Sequence, residues 1–113
     1  MDQHAIIIAN SDGVIQLWSA GAASLFGHPP DDAVGKKLDL VVPADLREMH
    51  WKGFGHAMQT ASMNGEGVFF DAPGLCRDGQ VRTLRGQLHL LRDEDNKAIG
   101  AIAIFKAPTA PRA

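Results

Sequence analysis

Apolar positions fall into short blocks separated by turn-forming residues. Ala5-Ile6-Ile7-Ile8-Ala9 is a β-branched run, followed by Asn10-Ser11-Asp12-Gly13 and then by Val14-Ile15-Gln16-Leu17-Trp18. An Asp-Gly pair between two strand-like runs predicts a hairpin, because both residues tolerate the positive φ of a tight turn. Ser19 to Gly27 reads as a short helix, with Ser19 as N-cap and Gly27 just past its end. Pro29-Pro30 stops the chain, and Asp31 to Gly35 predicts one further helical turn. Lys37 to Leu40 is too short to assign.

The long helical pattern runs from Pro43 to about Ala61. Pro43 suits a first turn, and Asp45 and Glu48 suit the positive end of the helix dipole. Leu46, Met49, His50, Gly53, Ala57 and Ala61 recur at three- and four-residue spacing and predict an inward stripe. Trp51, Phe54 and Met58 form a second stripe beside it. Gly53 and Gly55 lie inside the helix, where each costs on the order of 1 kcal/mol relative to alanine.

After Gly65 the period returns to that of strands. Gly67 to Ala72 predicts a strand, and Arg77-Asp78-Gly79 a turn. Gln80 to Leu91 alternates, with Leu84, Gly86, Leu88 and Leu90 on one face and Thr83, Arg85, Gln87 and His89 on the other. Asp93 to Lys97 makes a charged turn before a last strand, Ala98 to Phe105. Residues 1–107 are thus expected to form a single domain, with Pro108 to Ala113 a disordered tail or linker end. Two hairpin-connected groups of strands with helices between them predict an α+β fold: one antiparallel sheet with the helices on one face.

Composition excludes several classes. The chain has 113 residues, 45% of them hydrophobic, enough for one core and not two. Eleven basic and thirteen acidic side chains leave a net charge of −2, with no basic patch for nucleic acid or an anionic membrane. A single cysteine, Cys76, excludes an internal disulfide framework and a cysteine-rich zinc site. No apolar run approaches the ~20 residues of a membrane span, and the first residues lack a secretory signal pattern, so a cytoplasmic location is expected. The nucleophile elbow, the phosphate-binding glycine loops and the His-Glu-x-x-His zinc pattern are all missing from the sequence, which argues for a non-enzyme.

Ser11-Asp12-Gly13-Val14-Ile15, Trp18 to Gly27 ending in Leu25-Phe26-Gly27, Val34-Gly35-Lys36, Val42-Pro43 before the long helix, Arg77-Asp78-Gly79 and Gly100 occur in an order and spacing that resembles the PAS domain family from about Ala5 to Phe105. The resemblance implies the PAS fold: a five-stranded antiparallel sheet that encloses, with several short helices and one longer helix on one face, a small-molecule pocket. It also implies a sensory module that passes a conformational change to an effector domain or partner signalling protein, with homodimers possible in the family. Flavin-binding members carry a reactive cysteine in a helix motif missing from this sequence, and Cys76 lies in a turn that suits neither that chemistry nor the cysteine-linked chromophore of the yellow photoreceptors.

Pro43-Ala44-Asp45-Leu46-Arg47-Glu48-Met49-His50 is similar to the stretch that ends in the proximal heme ligand in the heme-binding PAS domains of oxygen-sensor histidine kinases. The match implies heme b, with His50 as its axial iron ligand, and signalling of a diatomic gas (oxygen, carbon monoxide or nitric oxide) or of redox state. The residues themselves agree with this. His50 shares the inward stripe with Leu46, Gly53 and Ala57, and Gly53 leaves space beside it for a flat macrocycle. Leu84, Leu88, Leu90, Ile102 and Ile104 supply an apolar opposite wall in which Gly86 leaves room. Two positions depart from those kinases. Phe70 stands where they carry a distal arginine, which favours carbon monoxide or nitric oxide over oxygen, and His56 stands at a propionate-binding arginine; Arg82 and Arg85 are the substitutes at hand. Two other readings stand beside this one: a PAS domain that binds a small organic metabolite, with His50 an ordinary core histidine, and a ligand-free dimerisation module.

Overall fold

A computed structural model describes residues 4–106. The expected tail at 108–113 lies outside them.

The first hairpin forms as the Asn-Ser-Asp-Gly sequence dictates. Asn10 Oδ1 accepts hydrogen bonds from the Asp12 and Val14 amides, both at 3.0 Å, and Gly13 adopts φ +76°. This turn joins β1 (Ala5–Asn10) to β2 (Ile15–Trp18). Ser19 Oγ caps α1 (Ala20–Phe26) by accepting from Ala22 N at 3.1 Å, and Gly27 ends it in the left-handed conformation, as expected. A single turn, α2 (Pro30–Ala33), and a 3-10 turn at Leu38–Leu40 lead to the longer helix.

That helix, α3, spans Arg47–Thr60 and not the whole stretch from Pro43. Ala44–Leu46 forms a separate 3-10 turn. The Arg47 side chain reaches back to donate to Val42 O at 3.1 Å and Asp39 O at 3.2 Å, which holds the chain at an angle before the helix starts. The next strand, β3, spans Phe70–Leu75 and starts three residues later than expected, because Gly65 and Gly67 take positive φ of +77° and +80°. Two long strands complete the sheet: β4 (Val81–Arg92) and β5 (Ala98–Phe105).

All pairings are antiparallel, in the order β2-β1-β5-β4-β3. Pro73 falls on the edge strand β3, where its missing N–H leaves no ladder bond broken. Residues paired across strands share a face. The register Ile7↔Ala103↔Leu88 therefore sets Ala5, Ile7, Phe105, Ala103, Leu84, Gly86, Leu88, Leu90 and Phe70 on one face. The helices pack on this face. Its centre is filled by Trp18, Leu25 and Phe26, which meet Ile7, Ile15, Leu84, Cys76 and Phe105 in one core cluster. Phe26 lies 5.5 Å from Trp18 and 6.0 Å from Phe105 between ring centroids.

The same register overturns one expectation. Ile102 pairs with Ile8 and His89, and Ile104 with Ile6 and Gln87, so both isoleucines lie on the opposite, outer face and supply no wall to an inner pocket. On β5 the inner face carries Ala101, Ala103 and Phe105, and α3 contacts this strand.

Candidate ligand site

The core is dense under α1 and thin under α3. Ala57 is the one buried residue of α3, and the inner-face residues Phe70, Leu88, Ala101 and Ala103 are only half-buried although they point towards the helical layer. Well-packed interiors leave few such gaps. Here the gap is a partly open cavity of ≈190 Å³, lined by Met63, Asn64, Gly65 and Val68 from the segment after α3 and by Phe70 and Leu88 from the sheet. Phe70 and Leu88, both expected at a ligand site, are brought together.

The other expected residues are dispersed. Leu84 belongs to the core cluster beside Phe26 and Cys76. A Cβ on Gly86 would collide with the Phe105 ring and Ile104 O, so the room it leaves is taken by protein. Gly53 is exposed with nothing within 4 Å, and Met49 is 72% exposed, so the inward stripe is rotated from Leu46–Met49–Gly53 towards Trp51, Phe54 and Met58. Leu46 is half-buried in the 3-10 turn. Arg82 pairs with Asp78 at 2.9 Å, and Arg85 with Asp71 at 3.3 Å on the outer face, so both are engaged away from the cavity. His28 and His89 are half-buried, and His56 is exposed.

His50 is half-buried on α3 in an aromatic group, with its ring 4.9 Å from Trp51 and 6.0 Å from Phe54. Its Nδ1 is sealed from solvent with no hydrogen-bond partner among the described residues. Burial lowers its pKa below the ordinary 6.5, partly offset by the Asp39 carboxylate, so the imidazole is kept neutral. In protonation and burial this fits an axial iron ligand. The space beside it is another matter. Phe54 is stacked alongside the imidazole at 30°, and His50 does not line the cavity, which is smaller than the roughly 300–1,000 Å³ of ligand clefts. A macrocycle at His50 requires the Phe54 ring to turn away. No group of three or more His, Cys, Asp or Glu is placed to hold a metal ion among the described residues.

A larger groove of ≈340 Å³ lies at the end of α1, between Ser24–Gly27 and Cys76–Arg82, but it is open to solvent. Its charged groups are already paired, Arg77 with Asp32 at 3.8 Å and Arg82 with Asp78. The Cys76 thiol beneath it is buried and its pKa raised by that burial, which makes it a packing residue. No helix among the described residues is long and apolar enough to cross a membrane.

No periodicity in the sequence marks the ion pair that holds the roof of the cavity in place. Glu66 and Arg92 form a bidentate ion pair, with Nη2 to Oε1 at 2.7 Å and Nη1 to Oε2 at 2.9 Å, that holds the segment after α3 against the end of β4.

The "PAS fold" family model matches residues 2–113, so the chain belongs to the PAS fold family. It is similar to the PAS domain of a Colwellia psychrerythraea protein at 19% identity and a TM-score of 0.77, covering 96% of this chain and 88% of that one. The quorum-sensing receptor RpfR PAS domain of Cronobacter turicensis, in complex with C12:0, is similar at 14% identity and 0.69, covering 94% of each. A light-oxygen-voltage domain studied with a flavin analogue is similar at 14% and 0.70, covering 96% of this chain and 79% of that one. At such identities the likeness is one of fold. No curated protein is similar enough to be counted a relative.

Proposed function

We propose that this chain is a sensory PAS domain that binds a small, mainly apolar molecule in the cavity between the segment after α3 and the inner face of β3 and β4. The observation that carries this reading is the half-exposure of Phe70 and Leu88 on the helix-covered face, where a filled core would bury them. The complexes of the Cronobacter turicensis domain with C12:0 and with BDSF support small-molecule binding on this fold. Binding between the segment after α3 and the sheet would favour one arrangement of β4 and β5 over another, and an effector domain or partner protein would read the difference. Thermal unfolding of the purified chain with and without dodecanoate and single-ring hydrocarbons tests the reading. A ligand of this site raises Tm, and the shift keeps growing with the logarithm of ligand concentration above Kd; no shift with any apolar probe refutes it.

A second reading is heme b bound through His50, favoured by the sealed, unpaired Nδ1 of a neutral imidazole. Heme would supply an iron centre that takes a diatomic gas or changes oxidation state. His50 would hold the iron, with Leu46 of the 3-10 turn and Ala57 of α3 flanking it. An absorption spectrum with added hemin, beside His50→Ala, decides it. A saturable Soret band lost in the variant supports heme, and no band removes it.

A further inference from the structure

The segment from Ala61 to Phe69 is pinned at both ends and hollow beneath. Ala61 ends α3 in the left-handed conformation, φ 55°, and its carbonyl accepts from Arg92 Nη2 at 2.9 Å and Nε at 3.3 Å. Glu66 binds the same guanidinium through both carboxylate oxygens, and its Oε2 also accepts from the Leu90 amide at 2.8 Å. The Gly67 amide then donates to Leu88 O at 2.8 Å. Met63, Asn64 and Gly65 between these pins, and Val68 just after them, roof the cavity, and Phe70 and Leu88 form its floor.

Charge and size limit what fits. No charged side chain lines the cavity, and the nearby Glu66 carboxylate is fully engaged. An ion would lose its hydration there without a counter-charge. The volume of ≈190 Å³ lies just above that of an engineered apolar cavity of about 150 Å³ that takes benzene. We propose that this cavity takes a neutral molecule of about one aromatic ring, admitted when the 61–69 lid lifts off Arg92. The proposal rests on the reading of this cavity as the ligand site, and adds the ligand's size, its charge and the latch.

The test is titration of the intact chain with toluene, naphthalene and dodecanoate, followed by amide NMR shifts at Val68 and Leu88. Toluene should saturate, with naphthalene and dodecanoate at least about tenfold weaker. Val68→Phe, which fills the cavity from an exposed position, should weaken toluene by a similar factor; Leu88→Phe should do the same from the floor. Glu66→Gln should speed toluene exchange several-fold. Saturation by dodecanoate alone overturns the size assignment and leaves the site reading intact. No response to any of the three overturns both. Exchange unchanged in Glu66→Gln overturns the latch.

Discussion

The indole of Trp51 lies against Gly13, filling the position a Cβ would occupy on that glycine. Trp51 is on α3 and Gly13 is in the β1–β2 turn, so the contact ties the thinly packed helix to the far end of the sheet. Trp51 Nε1 donates to Asp39 Oδ1 at 2.6 Å, and Lys37 Nζ sits 5.6 Å above the ring while donating to Asp12 O at 3.0 Å. Three segments therefore meet on one side chain.

Gly13→Ala should destabilise the chain by about 2 kcal/mol or more, from a positive φ made costly and a collision with the indole. Trp51→Leu in the same background should recover part of that loss. Urea denaturation of the two single variants and the double variant measures the coupling, which should exceed about 0.5 kcal/mol. Strict additivity would mean that the contact is not made.

His50 should make stability depend on pH. Its pKa is lowered by burial below 6.5, so in the window just below 6.5 the unfolded chain binds more protons than the folded one. Stability then rises with pH through that window. His50→Leu should flatten the slope between about pH 5 and about pH 7, and His28, lowered by burial and by Arg77, should leave a residue of it. Urea midpoints across that range test this; a slope unchanged in His50→Leu refutes it.

Glu66 acts in the acid range. Hydrogen bonds from Arg92 and from the Leu90 amide hold its carboxyl at about 2 in place of 4.5. The stability it contributes is present above 4.5 and is lost as pH falls towards 2. Hydrogen exchange should show the amides of Gly67, Val68 and Leu90 losing protection in Glu66→Gln at neutral pH, with those of β1 unchanged. Equal protection in both proteins would show that the pair does not hold the segment.

Cys76 should be inert to alkylation in the folded chain. Its thiol is buried, with Sγ 3.7 Å from Leu25 O, and burial raises its pKa. Labelling with iodoacetamide should track the unfolded fraction through a urea titration. Labelling in water at the rate of a free thiol would place the side chain outside the core.

Where local chemistry decides the backbone, the sequence is legible. The Asn10–Gly13 turn, the Ser19 and Gly27 caps and the alternation of β4 each follow from residue types within a few positions. The faces of β5 do not. Ala98-Ile-Gly-Ala-Ile-Ala-Ile-Phe105 is apolar at every position, so alternation gives no phase, and bulk misleads. Ile102 and Ile104 point outward because pairing with β1 and β4 fixes the register, which depends on the assembled sheet and not on the strand's own residues. The phase of α3 is hidden for a similar reason: two apolar stripes lie side by side, and the contact of Trp51 with Gly13 selects between them. The Glu66–Arg92 pair joins side chains with no common period. Its location emerges only when the sheet is assembled.

Leu88 has three roles. Its side chain is part of the cavity floor, and its carbonyl holds the Gly67 amide of the lid above, while its backbone pairs with Ala103 of β5. A guest that pushes on this side chain also strains the stitch that keeps the roof down, and tugs on the neighbouring strand in the same movement. On the proposed reading, occupancy of the cavity, the hold on its roof and the neighbouring strand would all be coupled through this one residue.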